Sequence, residues 1–283
     1  MTDAERKAVR GDEEFKMVEI NLIEKKGNEK VTFVLGKSTP AKANALRRVL
    51  IGELPVMAVD TVEISKNSSL LYDEMIALRV GLIPLTTDLK SYNLPSKCKC
   101  EGKGCARCQV KLSLKAKGPC TVYASELESD DKAIKPFYPK IPIVHLLKNQ
   151  SLELEATAVL GLGNVHAKWS AGHAYYVQYP SIETKESKSP CAKCEKYVQN
   201  CPAAIFDYKN NKVVVKDKNY YKWNIAEVYA DACPEHITIT PTNDFVFFVE
   251  SFGQLDVKSM IVESVKLLQE QMEEFAESIK AIK

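Results

Sequence analysis

Cys98, Cys100, Cys105 and Cys108 place four thiols within eleven residues, in the pattern Cys-x-Cys-x4-Cys-x2-Cys. The thiolate is the metal-binding form of cysteine, and four of them suit one tetrahedral zinc ion. Gly102 and Gly104 let the chain turn tightly between the ligands. The other residues of the loop are mostly Lys and Glu. A reactive dithiol site needs only one pair. A closed four-sulfur shell leaves no open position for a substrate, so the zinc is expected to be structural. The competing reading is a Cys-rich loop without metal.

A second set of cysteines has a different logic. Cys191-x2-Cys194-x2-Tyr197-x3-Cys201-Pro202 is followed by Trp223-x2-Ala226-x2-Tyr229-x3-Cys233-Pro234. Both halves keep the register of the bacterial ferredoxin run C-x2-C-x2-C-x3-C-P, whose fourth Cys ligates the other cluster. The module resembles a two-cluster ferredoxin that has lost its second site. Cys191, Cys194 and Cys233 remain for the first site. Cys201 belongs to the lost one, and is a bystander unless it joins as a fourth ligand. Three cysteines match a 3Fe–4S cluster, which is favoured here, or a 4Fe–4S cluster with one non-cysteine ligand. Two other readings stay open. The fold is held by its core alone, with Cys201 pairing to Cys191 or Cys194 on oxidation, or all four cysteines hold zinc. One degenerate site offers no electron relay, so a structural role is expected. Cys120 stands apart from both sets and has no assigned role.

No catalytic machinery accompanies these cysteines. The sequence has no G-x4-G-K-[ST] phosphate loop, no H-E-x-x-H and no D-x-D-x-D cluster for two-metal chemistry. His145, His166, His173 and His236 lie in unrelated contexts and are read as packed or surface residues. Arg47 and Arg48 could bind phosphate. On a helix with an apolar face they fit better as partners for carboxylates of a docked protein, as does Arg79 after Asp73 and Glu74.

The elements that must position these residues are legible by pattern. Val18, Ile20 and Leu22, a turn at Lys25-Lys26-Gly27-Asn28, and Val31, Phe33 and Leu35 read as a hairpin. Ser38 or Thr39 caps a helix that starts with Pro40. Ala43, Leu46, Val49 and Leu50 form its apolar stripe, and Pro55 ends it. A strand follows at Ala58–Ser65, then a short helix at Asp73–Arg79. Strands are predicted at 110–116, 121–124, 143–147, 152–160, 173–179 and 245–249. Residues 183–190 read as a linker. The last helix carries the clearest period: Ile261, Val265, Leu268, Met272, Phe275 and Ile279 are spaced as an a/d heptad seam. That seam packs either on its own sheet or on a partner's helix.

With 283 residues, several domains are expected. Basic and acidic residues number 39 and 37, so no basic excess marks a surface that holds nucleic acid by itself. The N-terminus has no apolar signal region, and no apolar run reaches the roughly 18–20 residues of a membrane span. The chain is read as cytoplasmic with no membrane role, where nine cysteines point to metal sites before disulfides.

The blocks N-A-L-R-R-V-L-I-G-E-L-P-V-M-A-V-D (44–60) and D-E-M-I-A-L-R-V-G-L-I-P-L (73–85), with the zinc-type loop, the ferredoxin-type module and the final heptads, occur in the order of a known family. Over nearly its whole length the chain resembles the D subunit of archaeal RNA polymerase, related to the bacterial alpha subunit and the eukaryotic third subunit. The resemblance implies an α+β fold. A split dimerisation domain (15–65, 166–182 and 244–283) carries two insertions, a β-rich zinc-loop domain (66–165) and a ferredoxin-like domain (183–243). It implies a non-catalytic assembly subunit that heterodimerises with the small L subunit through Ile261, Val265, Leu268, Met272 and Phe275. The face with Arg47 and Arg48 meets the two largest subunits, Asn44 and Arg79 count as further interface residues, and the small zinc-binding subunits assemble on the same platform. In that family some members carry clusters and others have lost them. The alternative is a ferredoxin-like redox protein with a structural zinc domain, which has no use for the 44–60 and 73–85 blocks or the heptads.

Overall fold

The structure is a computed structural model that describes residues 18–185, 195–196, 206–209, 212–216, 231, 234 and 236–282. Among these residues the fold is mixed, mostly strands with three α-helices. Contacts divide the chain into two compact units. Among the described residues, one is drawn from 18–24, 32–43 and those of 176–248, the other from 25–31, 44–175 and 249–282.

Most residues of a four-stranded sheet ordered β1 (Glu19–Lys26), β2 (Lys30–Gly36), β12 (Ile237–Ser251), β9 (Gly172–Thr184) fall in the first unit. The β1–β2 hairpin turns at Gly27, whose φ of 58° is one that glycine adopts at little cost. Phe33 of β2 stacks on Phe247 of β12 at 5.3 Å, and Tyr176 of β9 packs against Phe245 and Phe247. Ile20 and Leu22 of β1 lie exposed. Separately, β10 (Phe206–Lys209) pairs antiparallel with β11 (Lys212–Val215).

Two boundaries differ from the sequence reading. Strand β9 runs on through Glu183 and Thr184, which read as linker, and β12 begins at Ile237, inside the expected ferredoxin module. The run 183–190 reads as linker from its polar residues alone. In β12 the β-branched run Ile237-Thr238-Ile239-Thr240 suits an extended strand ahead of the predicted 245–249.

The second unit holds the larger core. Its sheet is ordered β3 (Pro55–Asn67), β8 (Ser151–Leu162), β4 (Gln109–Lys117), β6 (Glu128–Ser129), all antiparallel. Val110, Leu112, Leu114 and Ala116 of β4 and Leu152, Leu154, Ala156, Ala158 and Leu160 of β8 fill one face. Lys111 and Lys115 point the other way, toward Glu155 and Glu153 at 3.7 and 3.0 Å. This is the period-two alternation of a half-buried sheet. A two-stranded piece, β5 (Cys120–Tyr123) with β7 (Pro142–Leu146), completes the β structure of this unit.

Helix α1 (Pro40–Gly52) starts as its sequence requires: the Lys42 N–H donates to Thr39 Oγ1 at 3.3 Å, and Ala43, Leu46, Val49 and Leu50 are buried. Helix α2 (Asp73–Gly81) has Asp73 and Glu74 at its positive end and Arg79 at its negative end. Ile76 and Val80 enter the core with Met57, Val59, Ile83 and Leu85. Helix α3 (Val257–Ala281) is capped by Asp256, which accepts from the Ser259 N–H at 3.0 Å. No helix among the described residues is long and apolar enough to cross a membrane.

Candidate metal centre

Strand β4 fixes the site. It starts at Gln109, so Cys108 is set at the strand's mouth, 1% exposed. At the other end a 3-10 turn at Pro95–Lys97 delivers Cys98, which is 8% exposed. The Asn93 N–H donates to the Arg107 carbonyl at 2.8 Å and closes the base of the loop. Beside it, Tyr92 donates to Asp131 at 2.7 Å. Burial first, and Asp131 second, push its hydroxyl up to about 12. Between these ends the chain folds back through short turns from Cys98 to Glu101, Cys100 to Lys103 and Cys105 to Cys108. Gly104 sits at φ 88°, and a Cβ there would lie 2.4 Å from Gln109 Oε1.

The four sulfur atoms lie within 4.8 Å of one another. Cys98 to Cys105 is 3.6 Å, Cys100 to Cys108 is 3.5 Å, and Cys105 to Cys108 is 3.7 Å. A tetrahedral ion with metal–sulfur bonds of about 2.3 Å sets its ligands roughly 3.8 Å apart. The donor set and its spacing therefore fit one metal ion held by Cys98, Cys100, Cys105 and Cys108. The Cys105 N–H, 3.2 Å from the Cys108 sulfur, favours the thiolate. Hydrogen bonds from Cys98 and then Cys108 hold the Cys100 thiol down at about 6, whereas burial pushes Cys108 up to about 12. A metal ion that binds here displaces the shared protons. Lys97, Lys99, Lys103 and Arg107 are exposed on the loop against the single acid Glu101. Four thiolates around a divalent ion leave a net charge of about −2, and these cations offset it.

The remaining cysteines part company with this cluster. Cys120 is half-buried and faces the Lys117 carbonyl at 3.6 Å. The iron–sulfur ligands expected at Cys191, Cys194 and Cys233, and Cys201, lie outside the described residues. The histidines form no cluster. His145 meets Thr121 at 2.9 Å, His166 accepts from the Lys168 N–H, and His173 lies beside Tyr175. His236 is fully buried beside Tyr208.

The docking residues read from the sequence fall on two helices of the second unit and on α1. The Arg47 guanidinium is held by Asn44 Oδ1 through Nε at 3.1 Å and Nη2 at 2.8 Å, while Arg48 is exposed. Arg79 donates to the Pro142 carbonyl at 2.6 Å, so part of its donor set serves its own chain. On α3, Val257, Met260 and Ser264 are buried and Ile261 and Leu268 half-buried, whereas Val265, Met272 and Phe275 are 53%, 64% and 63% exposed. Ile279 is exposed as well. Sequence reasoning did not single out Tyr72, Met75, Leu78 and Leu82, which form an exposed apolar stripe at α2. The signal was present: 75, 78 and 82 make a second helical row beside the buried row of 76, 80 and 83.

Comparison with known proteins gives these features a family. Residues 62–174 match the model described as the RNA polymerase Rpb3/RpoA insert domain. DNA-directed RNA polymerase subunit Rpo3 of Archaeoglobus fulgidus is 36% identical over 94% of this chain and 99% of its own length. The Rpo3 proteins of Pyrobaculum aerophilum (38% identical, 85% of this chain and 88% of the relative) and Methanosphaera stadtmanae (41%, 68% and 73%) are also similar. The relatives carry the name Rpo3, where the sequence motifs imply the D subunit, and the kinship to the alpha and third subunits stands. The chain belongs to the family of DNA-directed RNA polymerase subunits named Rpo3, as a non-catalytic subunit of that nucleotidyltransferase.

Proposed function

We propose that this chain is the assembly platform of a cytoplasmic archaeal RNA polymerase. In this reading it pairs first with the small L subunit, and the small zinc-binding subunits and the two largest subunits follow. The observation that carries the reading is the final helix. Its a/d stripe continues for several turns beyond its last buried residue, with large apolar side chains in solvent. Exposed apolar rows of this kind mark protein interfaces. Segments 15–65, 166–182 and 244–283 act as the dimerisation part, 66–165 as the inserted domain and 183–243 as the ferredoxin-like one.

The metal at Cys98, Cys100, Cys105 and Cys108 is zinc in this reading. Its role is to cross-link a loop with little apolar core of its own. Cys191, Cys194 and Cys233 hold an iron–sulfur cluster, 3Fe–4S in preference to 4Fe–4S, that braces its module. A redox carrier is not favoured, because it has no use for an exposed heptad helix or for arginines set on an apolar helix. Arg47 and Arg48 serve the later docking steps, and Asn44 orients the first of them. The test is retrieval of polymerase through a tagged chain. The double change Arg47→Ala, Arg48→Ala is expected to spare the small partner and to reduce recovery of the two largest subunits. Undiminished recovery of complete polymerase from this variant contradicts the assignment.

A further inference from the structure

From Ile261 onward α3 repeats in heptads. Ile261, Val265, Leu268, Met272, Phe275 and Ile279 take the a and d positions, and Ile282, 77% exposed, takes the next d. The a position before Ile261 holds Lys258, which bounds the row. The positions that flank such a row in a helix pair are e and g, where opposite charges usually choose the partner. Here they are Val262, Ser264, Gln269, Gln271, Ala276 and Ser278, and none is charged. The charged residues of this stretch stand elsewhere: Glu263, Glu270 and Glu277 at f, Lys266, Glu273 and Lys280 at b, and Glu274 at c.

Several of these charges are already engaged along the helix. Lys266 pairs with Glu263 at 2.7 Å, and Glu273 accepts from Gln269 Nε2 at 2.8 Å. The two flanks of the row differ. On the g side Ser264 is buried and Gln271 donates to Glu53 of α1, so that side is turned toward the chain's own fold. The e side is open: Val262 is 44% exposed, and Gln269 and Ala276 are exposed as well. A helix that docks on the row therefore meets a neutral flank.

We propose that α3 pairs with a helical surface of the small partner subunit whose own flanking positions are uncharged, so that the contact is selected by apolar fit and carries no ionic part. A charged flank on the partner would lose water against Val262, Gln269 and Ala276 and gain no opposite charge. An unpaired charge at a dry contact is costly. A neutral flank avoids that cost. The attraction that remains is burial of the a and d side chains, which added salt does not screen. The proposal rests on the reading of the chain as an assembly subunit that pairs through α3, and it adds the chemistry of the partner's surface.

The test uses the full chain co-produced with the small partner subunit. The dissociation constant of the pair is measured by sedimentation at low salt and at about 1 M sodium chloride, where charges are screened beyond roughly 3 Å. It is expected to rise by less than about threefold, and a larger weakening at high salt overturns the proposal. A second measurement compares Ala276→Glu and Ala276→Lys with the neutral Ala276→Gln, at a position exposed in this chain so that its fold is spared. Both charged variants are expected to bind about tenfold more weakly than the Gln variant. A charge of either sign that binds as tightly as Gln, or more tightly, reveals an opposite charge across the seam and overturns the proposal. A parent chain that forms no pair at either salt concentration sinks the assembly reading itself, which keeps the two failures apart.

Discussion

Cys105 shows how much of the metal site is set by single residues. Its sulfur lies 3.6 Å from Cys98 and 3.7 Å from Cys108, and its backbone N–H points at the Cys108 sulfur. Removing one thiol breaks a closed four-sulfur shell and leaves the other three without the geometry that holds the ion. Cys105→Ser is expected to lower bound zinc from about one ion per chain to well below it and to expose the 98–108 loop to protease. Elemental analysis and limited proteolysis check this, and undiminished zinc in the variant contradicts the four-cysteine site. This centre was legible in the sequence because its ligands are local: Cys spacing and two glycines specify the loop. The cavity lined by Leu82, Tyr138, Lys168, Glu250 and Gln254 was not legible. Its residues come from segments far apart in sequence, and only the tertiary structure assembles them.

The helices are where pattern and structure agree most closely, because capping and periodicity act within a few residues. Asp256 illustrates the energetics. Its carboxylate accepts from the Ser259 hydroxyl at 2.6 Å and the Ser259 N–H at 3.0 Å. These bonds, the hydroxyl first, hold its pKa below the ordinary 3.8. A depressed carboxylate contributes stability that is present above pH 3.8 and is lost as the pH falls through the lowered value. Asp256→Ala should cost about 1 kcal/mol, the usual worth of an N-cap. The difference from the parent should shrink under acid conditions below that window. Denaturant melts at neutral and acid pH measure it, and an equal loss at both contradicts the cap. Strand boundaries were read less well, since Ile237–Thr240 extends β12 through tertiary pairing that local turn signals do not report.

At the scale of the whole molecule the two cysteine systems have separate consequences. In the ferredoxin-like register the distant Cys-Pro completes the first site. Cys233→Ser is therefore expected to abolish iron–sulfur absorbance in anaerobically prepared protein, and Cys201→Ser to leave most of it. Equal losses in the two variants point instead to four-cysteine ligation, and protein prepared anaerobically without iron removes the cluster from the account. Neither change should alter the chemistry of nucleotide addition, because this chain carries no catalytic residues.

The stripe on α3 bears the central claim, that this chain nucleates assembly by pairing with a small helical subunit. Leu268 is half-buried and Phe275 stands in solvent on its own. Burying such side chains at a helix–helix contact is worth about 2–5 kcal/mol for each one lost. The most direct measurement is analytical gel filtration of the chain co-produced with the L-type subunit, as the parent and as Leu268→Asp with Phe275→Asp. The parent is expected to run as a one-to-one heterodimer and the variant as separate chains, with the 66–165 domain still folded. A variant that retains the full-strength heterodimer contradicts it.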